Sequence, residues 1–262
     1  MTSPVLYAVD HGVATITLNR PEAMNSLDTA TKVALRDHVL RAADDPAVRS
    51  VVLAGSGKAF CVGQDLKEHA EALASGSADL GTTVHDHYNP IASTLATMPK
   101  PVVAAVNGVA AGAGAAFAFA CDVRIVADTA GFNLAFAGIG LSCDSGSSWA
   151  LPRLVGMARA KELLLMPRTV KADEALALGL ATEVVPTEAV LERARELGRQ
   201  FAAGPTLAYG AIRRALAFSA THSLDESLEH EAELMRSTGT TRDHHDAVAA
   251  FLAKQPPEFH AR

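Results

Sequence analysis

No run of eighteen apolar residues occurs in this 262-residue chain, so no segment reads as a membrane span. The first residues, "MTSPVLYAVDHGVATITLNRPE", lack a basic stretch followed by a long apolar core, and no secretory leader is expected. Cysteine is scarce. Cys61, Cys121 and Cys143 are widely spaced, sit among small or apolar neighbours and form no CxxC pair. That pattern argues against a disulfide framework and a zinc site, and predicts a reduced, cytoplasmic protein. Lysine and arginine number 23 against 29 aspartates and glutamates, and they are dispersed, so no cationic stripe is available for a nucleic-acid backbone. Several catalytic signatures are missing as well. There is no G-x-S-x-G, no histidine between His87 and His222, and no Gly-Lys-Ser/Thr to end a P-loop. A half-formed G-x-G-x-x-G at Gly112 and Gly114 has Phe117 where close strand-helix packing needs a small residue.

Nearly half the residues are hydrophobic, ample for a buried core. The β-branched runs "VLYAV" and "GVATITLN" flank the turn residues "DHG" and predict a hairpin. Residues 28 to 43 place Val33, Leu35, Val39, Leu40 and Ala43 near a 3.6 period, predicting a helix with Asp28 as its N-cap. Strands are expected at "VRSVVLAG", "PVVAAVNG" and "DVRIVAD", with helices at "QDLKEHAEAL" and over residues 84 to 98 between the first two. Alternation of this kind implies a mixed α/β core with crossover connections. From about residue 156 the pattern turns helical, and the last sixty or so residues suggest no strand. The expected organisation is a core over 1–200 and a helical module over 201–262, with no repeat of fixed period.

Two strands run straight into small residues and then a helix. In "VVLAGSGKAFCVGQDLKE", Gly63 permits an unusual dihedral before Gln64, and Asp65 can cap the following helix. In "VNGVAAGAGAAFAFA", Gly112 to Ala116 open a helix whose first N–H groups lack partners. If the two loops converge, their amides form an oxyanion hole; the plainer alternative is tight packing of a small-residue helix on a sheet. Between Pro101 and Lys161 the acids are Asp122, Asp128 and Asp144, with no glutamate or histidine. Asp144, in "CDSGSSW", is either a reagent or a helix cap, and residue preference alone favours the cap.

Five segments together, "LNRPEAMNSLD" (18–28), "GKAFCVGQDL" (57–66), "KPVVAAVNGVAAGAGAAFAFACDVRIVAD" (100–128), "GLSCDSGSSWALPRLVGMARAKELL" (140–164) and "ALGLATEVVP" (177–186), resemble the enoyl-CoA hydratase/isomerase (crotonase) superfamily in order and spacing. The resemblance runs from about residue 5 to "FLAKQPPEF". It implies an α/β fold, a spiral of ββα turns with a helical C-terminal trimerisation module, assembling as a homotrimer or a hexamer. It further implies an acyl-CoA thioester as substrate and no metal or redox cofactor. Carried over by position, the two oxyanion amides fall on Gln64 and on Ala113, where most relatives have glycine. The expected substrate-binding set is Ala23, Val62, Gly63, Asp65, Leu66, Asn89, Gly112, Phe136 and Leu141, with Phe251 and Lys254 approaching CoA, often across a subunit boundary.

Departures from the family pattern carry the expected chemistry. The two positions that hold glutamates in hydratases are Ala116 and Phe136 here, so no carboxylate remains there to activate water. A third position, used by isomerases and by a hydrolytic dehalogenase, is Asp144. The run "LGTTVHDHYNP" with "GQDL" resembles the 1,2-epoxyphenylacetyl-CoA isomerase branch, which also shifts Δ3 double bonds to Δ2. The dehalogenase branch needs a histidine where this chain has Asn89, although His85 and His87 lie one turn away. The resulting expectation is an acyl-CoA isomerase with Asp144 as a single proton shuttle. A hydratase working through Asp144 alone and a non-catalytic acyl-CoA binding protein are the alternatives.

Overall fold

A computed structural model describes residues 3–262. The chain opens with the hairpin of β1 (Val5–Asp10) and β2 (Val13–Leu18), whose two-residue loop places His11 and Gly12 at φ 46° and 76°. Both left-handed positions match the twist of the flanking strands, as a type I′ turn requires. Helix α1 (Thr29–Asp44) follows, N-capped by Asp28, whose Oδ1 accepts from the Thr31 N–H at 2.8 Å. Its buried stripe is Lys32, Leu35, Val39 and Ala42, while Leu40 is exposed. The expected stripe through Val33 and Leu40 is thus displaced, and a lysine occupies the apolar face.

Next come β3 (Ser50–Gly55), β4 (Ala59–Cys61), α2 (Leu66–Ala74), α3 (Leu80–Thr83), a π-turn at Val84–Tyr88, and α4 (Asn89–Thr97). The helix expected over 84–98 thus begins with a π-turn within continuous helical backbone, a geometry often found at functional sites. The chain continues through β5 (Val102–Val106), β6 (Val109–Ala111), α5 (Ala113–Ala120), β7 (Val123–Ala127), β8 (Gly131–Asn133) and α6 (Ser147–Leu165), the last interrupted at Gly156. Then follow β9 (Thr169–Lys171), α7 (Ala172–Leu178), β10 (Glu183–Val185), α8 (Val190–Ala203), α9 (Thr206–Ser219), α10 (Leu224–Gly239) and α11 (Arg242–Leu252). Strands β9 and β10 correct the expectation that the chain is helical beyond residue 156. Each is three residues long, too short to display a period, and exists because β8 and β7 offer free edges.

Two sheets result, one ordered β1-β2-β3-β5-β7-β10 and the other β4-β6-β8-β9. The Val/Ala-rich strands β3 and β5 are buried almost throughout, as parallel strands covered on both faces must be. Three strands of the first sheet each lead into a short strand of the second and then into a helix: β3–β4–α2, β5–β6–α5, β7–β8–α6. This is the expected ββα spiral. Helix α8 lays Val190, Ala194, Gly198 and Ala202 against the first sheet, and Ser50 Oγ donates to the Gly198 carbonyl at 2.7 Å. Arg213 on α9 is nearly buried and donates to Asp122 Oδ1 at 2.9 Å and to the carbonyls of Lys100, Leu95 and Met98, clamping the helical C-terminal region to the loop before β5. Among the described residues no helix is long and apolar enough to cross a membrane.

Candidate active site

The site begins with register. Strands β4 and β6 are parallel neighbours, with Ala59 beside Val109 and Cys61 beside Ala110, so the loops that leave their C-terminal ends lie side by side. On the far edge of the first loop, Leu27 bridges Gln64: the Leu27 N–H donates to the Gly63 carbonyl at 2.8 Å, and the Asp65 N–H donates to the Leu27 carbonyl at 3.2 Å. Backbone groups alternate along an extended chain, so the Gln64 N–H itself points the other way, toward the β6 loop. There Gly112 takes φ 51° and ψ −125°, accessible to glycine and strained for other residues, and is pinned by its N–H to the Asn133 carbonyl at 2.9 Å. This bend delivers Ala113 as the first residue of α5. Gly63, at φ 83°, lies against it: a β-carbon there would sit 3.4 Å from the Ala113 nitrogen. Among the described residues neither the Gln64 nor the Ala113 N–H donates a hydrogen bond to the protein. Two unused amides, one at a helix start with its partial positive charge, make a site for a developing oxyanion.

The carboxylate comes from a different loop. Ser145 and Gly146 are consecutive left-handed residues, at φ 53° and 80°, and the turn they form bends the Ser145 hydroxyl back onto Asp144 Oδ1 at 2.8 Å. Gly146 is the N-cap of α6, and no side chain caps that helix. The cap role that residue preference suggested for Asp144 is thereby overturned: only its backbone carbonyl takes part, accepting from the Ser147 N–H at 2.9 Å. Burial pushes the Asp144 carboxyl above its ordinary range, and the Ser145 hydrogen bond pulls it part of the way back. A half-buried carboxyl that is not used to hold the fold is suited to moving a proton.

A third group joins the two loops. Tyr88, 2% exposed at the end of the π-turn, donates its hydroxyl to Gln64 Oε1, and Lys32 Nζ approaches the same oxygen at 3.4 Å. Tyr88 stays protonated, because burial and then the nearby Asp144 charge raise its pKa. Tyr88, Lys32 and Ser145 were not anticipated from sequence. Lys32 on the apolar stripe of α1 was the one legible signal.

The remaining expected residues divide. Phe136 is buried and its ring passes near Gly112, and Ala116 is buried in α5, so neither hydratase position offers an acid. Asn89 shares a cavity of about 380 Å³ with Ser145, Gly146, Trp149 and Ala150. Leu66 and Leu141 are exposed, while Ala23 and Val62 are partly exposed. Asp65, expected among the substrate-binding residues, is committed elsewhere: it accepts from Ser26 at 2.9 Å, pairs with Arg20 at 3.1 Å and caps α2, and these bonds hold its pKa low. Phe251 and Lys254, expected near CoA, lie on or just beyond α11 and are exposed, and no contact described within the chain brings them to the two amides. His85 is exposed against Asp86 at 2.8 Å, and burial, with the nearby Lys32 and Arg36 charges, pushes the His87 pKa below its ordinary value. Burial pushes the thiols of Cys61 and Cys121 up to about 12, which makes them packing groups.

Known proteins match this arrangement over nearly the whole chain. The family model for enoyl-CoA hydratase/isomerase covers residues 8–262. A 1,2-epoxyphenylacetyl-CoA isomerase of Escherichia coli K12 is 40% identical over 255 residues, 97% of each chain. An enoyl-CoA hydratase of Rhodobacter capsulatus is 42% identical over 258 residues, 98% of each, and a 2,3-dehydroadipyl-CoA hydratase of Escherichia coli K12 is 33% identical over 260. Among solved structures, an enoyl-CoA hydratase/isomerase of Mycobacterium abscessus superposes with a TM-score of 0.95 at 44% identity, covering 98% of this chain and 100% of that one. The chain belongs to the enoyl-CoA hydratase/isomerase, or crotonase, family.

Proposed function

We propose that the protein is an acyl-CoA isomerase that moves a double bond, or rearranges an epoxyphenylacetyl-CoA ring, through a thioester enolate; the name of the Escherichia coli relative, 1,2-epoxyphenylacetyl-CoA isomerase, supports the isomerase class. The observation that carries this reading is the distribution of acids. The two hydratase positions hold buried Ala116 and Phe136, and Asp144 is a half-buried carboxyl with a raised pKa in electrostatic reach of Tyr88. In the proposed step the thioester oxygen of a 3-enoyl-CoA docks on the N–H groups of Gln64 and Ala113. Asp144 takes the C2 proton while the electron pair passes to that oxygen; the carboxylic acid so formed returns the proton to C4, and the electrons flow back to leave the 2-enoyl product. No atom is gained or lost, and one carboxylate serves both transfers. Each oxyanion donor contributes about 3 kcal/mol in comparable sites.

Hydration is the second reading, favoured by the relatives that bear hydratase names. Incubation with 3-hexenoyl-CoA and with crotonyl-CoA separates the two. The expected result is a 2-enoyl product of unchanged mass from the first and no water addition to the second. Rapid hydration of crotonyl-CoA with an inert 3-enoyl-CoA overturns the isomerase assignment.

The proposal extends to self-association as a trimer or a pair of trimers, with Phe251 and Lys254 supplied to a neighbouring subunit. Its support is the apolar surface of the C-terminal helices, where Phe251 is 80% and Leu252 76% exposed and a cleft of about 460 Å³ is lined by Ile212, Leu216, Leu234 and Met235. Sedimentation at catalytic concentration should give a trimeric or hexameric mass; a monomer would refute this part.

A further inference from the structure

The side chain of Gln64 has no role in the scheme above, which uses only its backbone. Its surroundings nevertheless fix its orientation. Tyr88 is protonated and donates to Oε1, and Lys32 Nζ, which can only donate, faces the same atom at 3.4 Å. Both lone-pair directions of that oxygen are therefore occupied, and the amide cannot be flipped without setting N–H groups against donors. The Nε2 group is turned away from Tyr88 and Lys32, and among the described residues it has no acceptor. Gln64 lines a polar cavity of about 310 Å³ together with Lys32, Glu68, Thr82 and Thr83. Lys32 is itself held in place by Glu68 at 3.5 Å, and Tyr88 by edge packing against Phe117.

We propose that Gln64 is a specificity residue whose side-chain amide donates a hydrogen bond to an oxygen carried on the acyl group of the substrate, beyond the thioester. The proposal rests on the acyl-CoA reading and narrows it to acyl groups bearing a hydroxyl, epoxide or keto oxygen. One residue then serves two ends of the ligand: its backbone N–H meets the thioester oxygen and its side chain meets the second oxygen. Tyr88 and Lys32 are positioning residues that act through Gln64 Oε1. A donor held in a fixed direction discriminates between an oxygen and a methyl group more strongly than an apolar wall does, because binding the methyl analogue leaves the donor unpaired.

The test uses matched 3-hexenoyl-CoA thioesters carrying either a hydroxyl or a methyl group at C5 or C6, since the Δ3 to Δ2 shift leaves both carbons unchanged. For the unaltered protein, kcat/KM should favour the hydroxyl compound over its methyl partner for at least one position. Gln64→Glu keeps an acceptor for Tyr88 and Lys32 but removes the donors, and Gln64→Met removes both without adding charge. In each variant that preference should fall roughly tenfold or more. Tyr88→Phe, which frees the amide to rotate, should lower it in the same direction by less, chiefly through KM. The inference is overturned if hydroxyl and methyl partners are used alike by the unaltered protein, or if the ratio survives in both Gln64 variants. Failure of the unaltered protein to isomerise plain 3-hexenoyl-CoA is a different result, which overturns the functional reading itself.

Discussion

Asp144→Asn should reduce the isomerisation rate by about 10²- to 10⁴-fold, the usual contribution of a positioned acid-base group, with little change in KM. Asparagine keeps the size and the acceptor for the Ser145 hydroxyl but cannot hold a transferable proton. The same substitution should raise the melting temperature at neutral pH. Burial raises the Asp144 pKa in the folded chain, so the native state binds that proton more tightly than the unfolded chain does. The stabilising contribution is present at low pH and is lost as pH rises through the folded pKa, where a charge must form in a half-buried site. The gain in melting temperature on removing the carboxyl should therefore grow with pH across that range. A stable, inactive Asp144→Asn protein is the stability-activity exchange expected of a functional group. Ser145→Ala supplies the pH arm. Its hydroxyl lowers the Asp144 pKa at present, so its loss should shift the acidic limb of the rate profile to higher pH. If the limb stays put, or if Asp144→Asn retains full activity, Asp144 is not the base.

Much of this arrangement was legible along the chain and some was not, for physical reasons that differ by element. The Val/Ala runs of β3 and β5 and the switch to small residues after each long strand betray buried parallel strands feeding helices, because such strands cannot alternate polar and apolar residues. Strands β4, β8, β9 and β10 have three residues each, too few for any periodicity; they are made by their neighbours. The structural repeat of strand, strand and helix leaves no sequence period, since its units start at Ser50, Val102 and Val123 with unequal intervening segments. At the site, glycines and helix starts mark the two loops, and the family resemblance is what points to the amides of Gln64 and Ala113 within them. The part played by Ser145 could not, since it depends on a non-glycine residue at φ 53° whose hydroxyl folds back one residue. Tyr88 was hidden by the π-turn, which rotates it inward from a helix that the period alone would have continued.

Gly114→Ala should disable the enzyme as severely, by geometry and not by chemistry. Gly114 lies within α5 with ordinary helical backbone, so conformational freedom is not the issue; space is. A β-carbon there would stand 2.2 Å from the Cys61 carbonyl oxygen and 2.7 Å from the Cys61 β-carbon, and a carbonyl at the end of β4 cannot swing aside as a long side chain can. Helix α5 must then lift away from β4. Cys61 leads directly to Gly63 and Gln64, and Gly114 directly follows Ala113, so the displacement widens the gap between the two amides of the proposed oxyanion site. Loss of one preorganised donor costs on the order of 10²- to 10³-fold in kcat, and overpacking of this kind destabilises by about 1–3 kcal/mol. Both should appear together, as a fall in kcat and a lowered melting temperature. Gly138→Ala is the matched control. Its β-carbon would meet only Pro167 at 3.9 Å, so activity and melting should stay at the unaltered level. A Gly114→Ala protein with unchanged kcat would mean that the close approach of α5 to β4 is packing alone, and that the paired amides of Gln64 and Ala113 do not act on the substrate.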